Sequence, residues 1–158
     1  MALFLVQHGI SNPKEKDPAK GLSEKGIEET RRIAPVARGY NIPVARIFHS
    51  GKTRAEQTAE IYHQALGLDT PMAVLSGINP LDDVRAFAAS LDPAANWMVV
   101  GHLPFMNRLV SFLTAGDEGL RVYQFQNSGI VCVDAERGDG PDGAWDWFIR
   151  WTLNPNIG

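Results

Sequence analysis

Cysteine is nearly absent from this chain: its 158 residues include one, Cys132. A single thiol excludes an internal disulfide and a cysteine-built zinc site. A basic excess is missing too. Lys and Arg number 15 against 18 Asp and Glu, for a formal net charge of -3. Contact along nucleic-acid phosphates needs a clear surplus of cations, so nucleic acid is excluded as a partner. No apolar run approaches the roughly 18 residues of a membrane span. The opening MALFLVQHGI has neither the basic start nor the apolar length of a signal peptide. Repeats, low-complexity tracts and interdomain linkers are lacking as well. These absences lead to the expectation of a soluble, cytoplasmic protein in a reducing compartment. With 44% hydrophobic and 21% charged residues, residues 1–158 are expected to form a single domain with a sizeable core.

What is present alternates. The runs LFLVQHG (from Leu3), ARIFHSGKTR (from Ala45) and WMVVGHLP (from Trp97) read as strands that end on polar residues, and PMAVLS (from Pro71) is a fourth candidate. Helical periods fill the gaps. The first helix opens at Ser23 with Ile27, Thr30 and Ala34 on one face, and Pro35 is expected to end or kink it. The second has Thr53 and Glu56 at capping-box spacing and an apolar face of Ala55, Ala59, Tyr62 and Leu66. The third takes Asn79 as its cap, Pro80 in its first turn, and Val84, Phe87, Ala88 and Leu91 as its stripe. The fourth starts at Pro104 and buries Phe105, Leu109 and Phe112. After Gly119 the stretches RVYQFQ, SGIVCVD and WDWFIRW read as strands without helices between them. The expected fold is a three-layer α/β/α arrangement, with a mostly parallel open sheet and antiparallel strands added toward the C-terminus.

Ligands of open α/β sheets bind at the carboxyl ends of the strands. That edge should receive Gln7 and His8, then His49, Ser50 and Arg54, then His102. Arg54 falls in the first turn of a helix, where the dipole is already positive, so a cation there implies an anion nearby. His102 precedes another helix whose first N–H groups lack partners. Two helix N-termini, an arginine and two histidines describe a pocket for a doubly charged tetrahedral anion such as phosphate. Plainer roles fit other conspicuous residues. Asp82 and Asp83 suit the first turn of a helix, and His63 suits an exposed helical position. The Trp145, Trp147, Ile149 and Trp151 alternation suits one core-facing strand side, and Cys132 a buried, inert position. No third ligand accompanies His8 and His102, which argues against a metal.

The motifs QHG (Gln7–Gly9), RAEQT (Arg54–Thr58) and VVGHLP with its following helix, in this order, resemble the histidine phosphatase superfamily, the phosphoglycerate mutase-like fold. GLSEKG resembles the family's opening of its first helix, and NSGIVCVD a late strand. The compact length is most similar to the small bacterial phosphohistidine phosphatases. The resemblance implies a hydrolase whose His8 attacks phosphorus and becomes a transient phosphohistidine. It further implies that Arg54 grips phosphate oxygens, that a protonated His102 neutralises charge, and that the Leu103 N–H completes the cradle. Two cationic side chains would take a metal's place, so no cofactor is implied.

Two departures from the family pattern stand out. Gln7 occupies the place of an arginine, and loss of one charged phosphate contact costs ~2–4 kcal/mol, or roughly 30- to 1000-fold in rate. Lys14, Lys16 or Lys20, in the polar loop after His8, is a candidate to supply the missing charge, although solvation beside Glu15 and Asp17 is the ordinary role for lysine there. No carboxylic acid is matched to the general acid, Asp82 being a distant candidate, and this favours an imidazole leaving group over an alkoxide. The expected partner is a phosphorylated protein or a small phosphorylated substrate. A phosphate- or phosphoprotein-binding module with weakened catalysis, and a phosphatase of a small metabolite, remain open alternatives.

Overall fold

Strand β1 (Ala2–Gln7) is buried along its whole length, as a strand covered on both faces must be. In this computed structural model, which describes residues 2–157, β1 is joined by β2 (Arg46–His49), β3 (Ala73–Val74), β4 (Trp97–Gly101), β5 (Ile130–Arg137) and β6 (Trp145–Leu153). The sheet order is β3-β2-β4-β1-β5-β6. The first four strands run parallel, while β5 is antiparallel to β1 and β6 to β5. The helices are α1 (Glu24–Gly39), α2 (Thr53–Leu66), α3 (Val84–Ala89) and α4 (Phe105–Ala115).

The alternation of β1 divides the core. Ala2, Phe4 and Val6 pack with Ile33, Ala34 and Ala37 of α1 and with Ala55, Ala59 and Tyr62 of α2. Leu3 and Leu5 pack with Val84 and Phe87 of α3 and with Phe105, Met106 and Leu109 of α4. The expected three layers are therefore present, with α1 and α2 on one face and α3 and α4 on the other. The connection leaving β1 crosses one face and that leaving β4 crosses the other. These strands are neighbours, with Gln7 opposite Gly101, so their carboxyl ends form a switch point, the usual ligand crevice of such sheets.

Several local expectations are corrected. Helix α1 is capped as predicted, Ser23 Oγ accepting from the Gly26 N–H at 3.0 Å, but it continues through Pro35 to Gly39. Pro35 faces solvent, and burial of Ala37 beyond it holds the last turn despite the missing N–H. Lys52, not Thr53, is the N-cap of α2, and no side chain caps it. Asp83 caps α3, accepting from the Arg85 and Ala86 N–H groups, so Asn79 and Pro80 lie in the preceding turn. Asp82 also precedes the helix, its carboxylate accepting from the Asn79 N–H. PMAVLS contributes only the two residues of β3.

RVYQFQ is not a strand: β5, which starts at Ile130, takes the free edge of β1. Phe125 is buried against the α4 layer, its N–H donating to Asn107 Oδ1. The Trp alternation is split by a bulge, since Cys132 pairs with Trp151 while Val133 pairs with Ile149. The extra residue, Arg150, turns Trp151 to the α1 face, while Trp145, Trp147 and Ile149 pack on the α4 face. Cys132 is buried as expected, and burial pushes its thiol up to about 12. His63 is half-buried, its Nε2 2.9 Å from the Thr70 carbonyl oxygen.

Candidate active site

The backbone around His8 is fixed on every side. The His8 N–H donates to the Gly101 carbonyl at 3.0 Å. The His8 carbonyl accepts from Asn127 Nδ2 at 2.9 Å. The next amide, Gly9 N–H, donates to Thr58 Oγ1 at 2.9 Å. One residue earlier, the Gln7 carbonyl accepts from the Ser128 N–H at 2.8 Å. Gly9 has no room for a side chain, because a Cβ there would lie 2.9 Å from Ser128 Oγ and 3.0 Å from Leu22 Cδ2. That crowding is why the first strand ends on His-Gly.

The imidazole of His8 is defined by one hydrogen bond. Its Nδ1 lies 2.7 Å from the Gly9 carbonyl oxygen. A carbonyl only accepts, so Nδ1 carries the proton, and in the neutral ring the lone pair resides on Nε2. Burial, then the charges of Arg54 and Lys20, pull the His8 pKa below its usual value, against the opposing pull of the Gly9 carbonyl. The neutral form is thereby favoured.

His102 follows β4, and its ring centroid lies 5.0 Å from that of His8. Its Nε2 is 2.6 Å from Ser50 Oγ, while its Nδ1 is buried without a partner. Burial, followed by the charges of His8, Arg54, Lys52 and Lys20, lowers the His102 pKa to about 3. Arg54 is the second residue of α2, and its charge reaches both imidazoles. Burial also lowers the pKa of its guanidinium. Among the described residues no carboxylate pairs with Arg54, and every charge found to act on His8 or His102 is cationic. Among the described residues the Leu103 N–H, at the turn into α4, donates to no protein acceptor.

The structure thus brings together His8, Ser50, Arg54 and His102. His49 stays apart: it is buried, and its Nδ1 accepts from the Gly51 N–H at 3.1 Å. Gln7 is 9% exposed, and its Oε1 is buried without a hydrogen-bond partner. A 490 Å³ cavity lined by Tyr40, Ile42, Pro43 and Trp151 contains none of these residues. Asp82, the distant candidate for a general acid, accepts from the Asn79 N–H with its carboxylate, and among the described residues no carboxylate is found to act on His8 or His102.

The letters of RAEQT after Arg54 take their roles from the structure. Gln57 Oε1 accepts from the Leu22 N–H at 2.7 Å and fastens the loop after His8. Thr58 accepts from Gly9 and donates to the Arg54 carbonyl at 2.8 Å, tying both sides of the crevice. Behind them, Thr30 Oγ1 and Ser128 Oγ are 2.6 Å apart, and Tyr62 OH donates to the Ser128 carbonyl. Nothing local in the sequence joins Thr30 or Tyr62 to Ser128, which lies 98 and 66 positions away from them respectively.

A mixed six-stranded sheet, with histidines following two adjacent strands at its switch point, is an architecture this chain shares with the histidine phosphatase superfamily, the phosphoglycerate mutase-like fold. The chain is homologous to the phosphohistidine phosphatase SixA of Escherichia coli (strain K12). The two are 28% identical over 162 residues, spanning 98% of this chain and 94% of SixA. The solved structure of the protein histidine phosphatase SixA complexed with tungstate matches with a TM-score of 0.81 at 28% identity, covering 98% of this chain and 97% of that one. A candidate phosphohistidine phosphatase SixA from Agrobacterium tumefaciens shares the fold, with a TM-score of 0.74 at 22% identity over 98% of this chain and 97% of its own. No protein-family model matches the chain.

Proposed function

We propose that this chain is a phosphatase that removes the phosphoryl group from a phosphohistidine on a protein, with His8 as the nucleophile. The observation that carries the reading is the Nδ1–Gly9 hydrogen bond, which leaves the Nε2 lone pair for attack among cations that have no carboxylate partner. Similarity to the phosphohistidine phosphatase SixA over nearly the whole chain supports the same activity.

In the first step Nε2 of His8 attacks phosphorus and the bond to the leaving imidazole nitrogen breaks, its electron pair returning to a ring protonated on its other nitrogen, which leaves as neutral imidazole. In the second, water attacks the phosphoryl group of phospho-His8. The P–Nε2 bond breaks and inorganic phosphate leaves. Arg54 presents a planar fork to two phosphoryl oxygens. The Leu103 N–H adds a neutral donor. His102 has its imidazolium disfavoured by burial and neighbouring cations. A phosphoryl dianion between it and Arg54 reverses that balance, so His102 takes up a proton as substrate binds. The absence of a carboxylate acid suits a leaving imidazole, which departs with far less protonic help than an alkoxide.

The test is rapid-quench analysis with a ³²P-labelled phosphohistidine protein and with p-nitrophenyl phosphate. The expected result is an acid-labile phosphoenzyme confined to His8 and a higher kcat/KM for the protein substrate. Turnover without a phosphoenzyme, or a preference for small esters, overturns the reading.

A further inference from the structure

Gln7 leaves the crevice short of a charge, and among the described residues the loop after His8 holds a cation with no carboxylate partner. The polar loop between β1 and α1 is folded around Asp17. Its Oδ1 accepts from the Ala19 N–H at 3.1 Å, its Oδ2 from the Gly21 N–H at 2.9 Å, and its carbonyl from the Lys20 N–H at 2.8 Å. The acid closest in sequence to Lys20 therefore spends both oxygens on backbone groups flanking that lysine. Among the described residues the Lys20 ammonium has no carboxylate partner.

The loop is also clamped to the crevice. The Asn12 N–H donates to the Gly21 carbonyl at 2.8 Å, and the Leu22 N–H to Gln57 Oε1 at 2.7 Å. A Cβ on Gly21 would lie 3.1 Å from Gln57 Oε1, so the loop lies directly on α2. Gln57 is three positions after Arg54, on the same helix face. Lys20 itself has φ +52, a left-handed conformation uncommon for a residue with a side chain. Lys14 and Lys16 are exposed, whereas Lys20 is half-buried.

We infer that Lys20 is a substrate-binding residue, its ammonium contacting the phosphoryl oxygens beside Arg54 and supplying the charge that Gln7 lacks. This rests on the phosphatase reading above. The charge of Lys20 reaches both His8 and His102, whereas neither Lys14 nor Lys16 acts on them. The exposed Lys52 reaches His102 alone. The loop's anchors thus aim Lys20 at the phosphoryl group.

Two measurements on the full chain test this. Binding of inorganic phosphate is followed by calorimetry for the wild type, Lys20→Gln, Lys20→Arg, Lys14→Gln and Lys16→Gln. Loss of one charge-assisted contact predicts a Kd weakened about 10- to 100-fold in Lys20→Gln, with Lys20→Arg, Lys14→Gln and Lys16→Gln near the wild type. Imidazole titrations by NMR, in phosphate-free buffer, should show the His8 and His102 pKa values rising in Lys20→Gln and staying put in Lys14→Gln. Unchanged phosphate affinity in Lys20→Gln, or an equal loss in the Lys14 and Lys16 variants, overturns the assignment. Phosphate binding that depends on Lys20 in a protein without turnover would instead retain Lys20 and refute the phosphatase reading.

Discussion

The Nδ1 atom of His8 lies 2.7 Å from the carbonyl oxygen of its neighbour Gly9, and this contact decides which ring nitrogen is available for chemistry. Replacing His8 by Asn removes the only group aligned for attack on phosphorus in the proposed mechanism. Turnover should fall by roughly 10³-fold or more with the fold intact. Rapid-quench assays alongside a circular dichroism melt would check this, and retained turnover contradicts the assignment.

The pH profile follows from the same ring. Burial is the largest influence on the His8 pKa, and Arg54 and Lys20 act in the same direction, below 6.5. The neutral nucleophile therefore persists into mildly acidic solution. The acid limb of kcat/KM should fall below pH 6.5 once the substrate's own titration is subtracted. Arg54→Gln should move that limb upward as well as lowering the rate. A limb at or above 6.5 in the wild type would count against the environment described for His8.

Thr58 is expected to act as a positioning residue. Its hydroxyl accepts from Gly9 N–H and donates to the Arg54 carbonyl, so it fixes the peptide that orients His8 and the helix turn that carries the arginine. Thr58→Val leaves the Gly9 N–H unpaired, at a cost of about 1–3 kcal/mol. If part of that appears as misalignment, kcat falls about 10- to 100-fold with a smaller change in KM. Thr58→Ser keeps the hydroxyl and should restore most of kcat, whereas a merely structural role would alter the melting temperature alone.

How far such relationships could be read in advance depends on their range along the chain. Strand ends at His8, His49 and His102, and the apolar faces of α1 and α2, follow local periodicity, and the sequence displays them openly. So does the Ser23 cap. The contacts that hold the site do not. Asn127 reaches His8 across 119 positions, and Ser128 reaches Thr30 across 98. Short polar residues in a loop carry no periodic signal for such pairings. Ser128 also adopts φ +65, a conformation usually marked by glycine. RVYQFQ illustrates the converse error, since its alternation places Phe125 against α4 while β5 already occupies the edge of β1. His49 shows that arriving at the correct edge is not sufficient, because its ring caps its own loop.

Tyr62 links the core to the site. It is fully buried between α2 and the sheet, and its hydroxyl donates to the Ser128 carbonyl. Burial holds its pKa far above the usual phenol range, so it remains a neutral donor. Tyr62→Phe preserves the ring packing and orphans that carbonyl, costing about 1–3 kcal/mol. Urea unfolding should register the loss. A stability equal to the wild type would mean that water replaces the hydroxyl.

Acid sensitivity should trace to His102. Burial comes first among the causes of its depressed pKa, followed by the charges of His8, Arg54, Lys52 and Lys20. Its folded value of about 3 lies below the 6.5 of an exposed imidazole. As pH falls through 6.5 the unfolded chain binds a proton that the folded site refuses. The stability associated with neutral His102 is thus complete above 6.5 and is lost progressively toward about 3. Unfolding free energies for the wild type should therefore drop between pH 7 and pH 5. In His102→Asn that dependence should be shallower, because one of the refusing imidazoles is gone. Added phosphate should flatten the wild-type curve too, since a bound dianion lets His102 accept its proton in the folded state. Identical slopes with and without the histidine would remove His102 as the source.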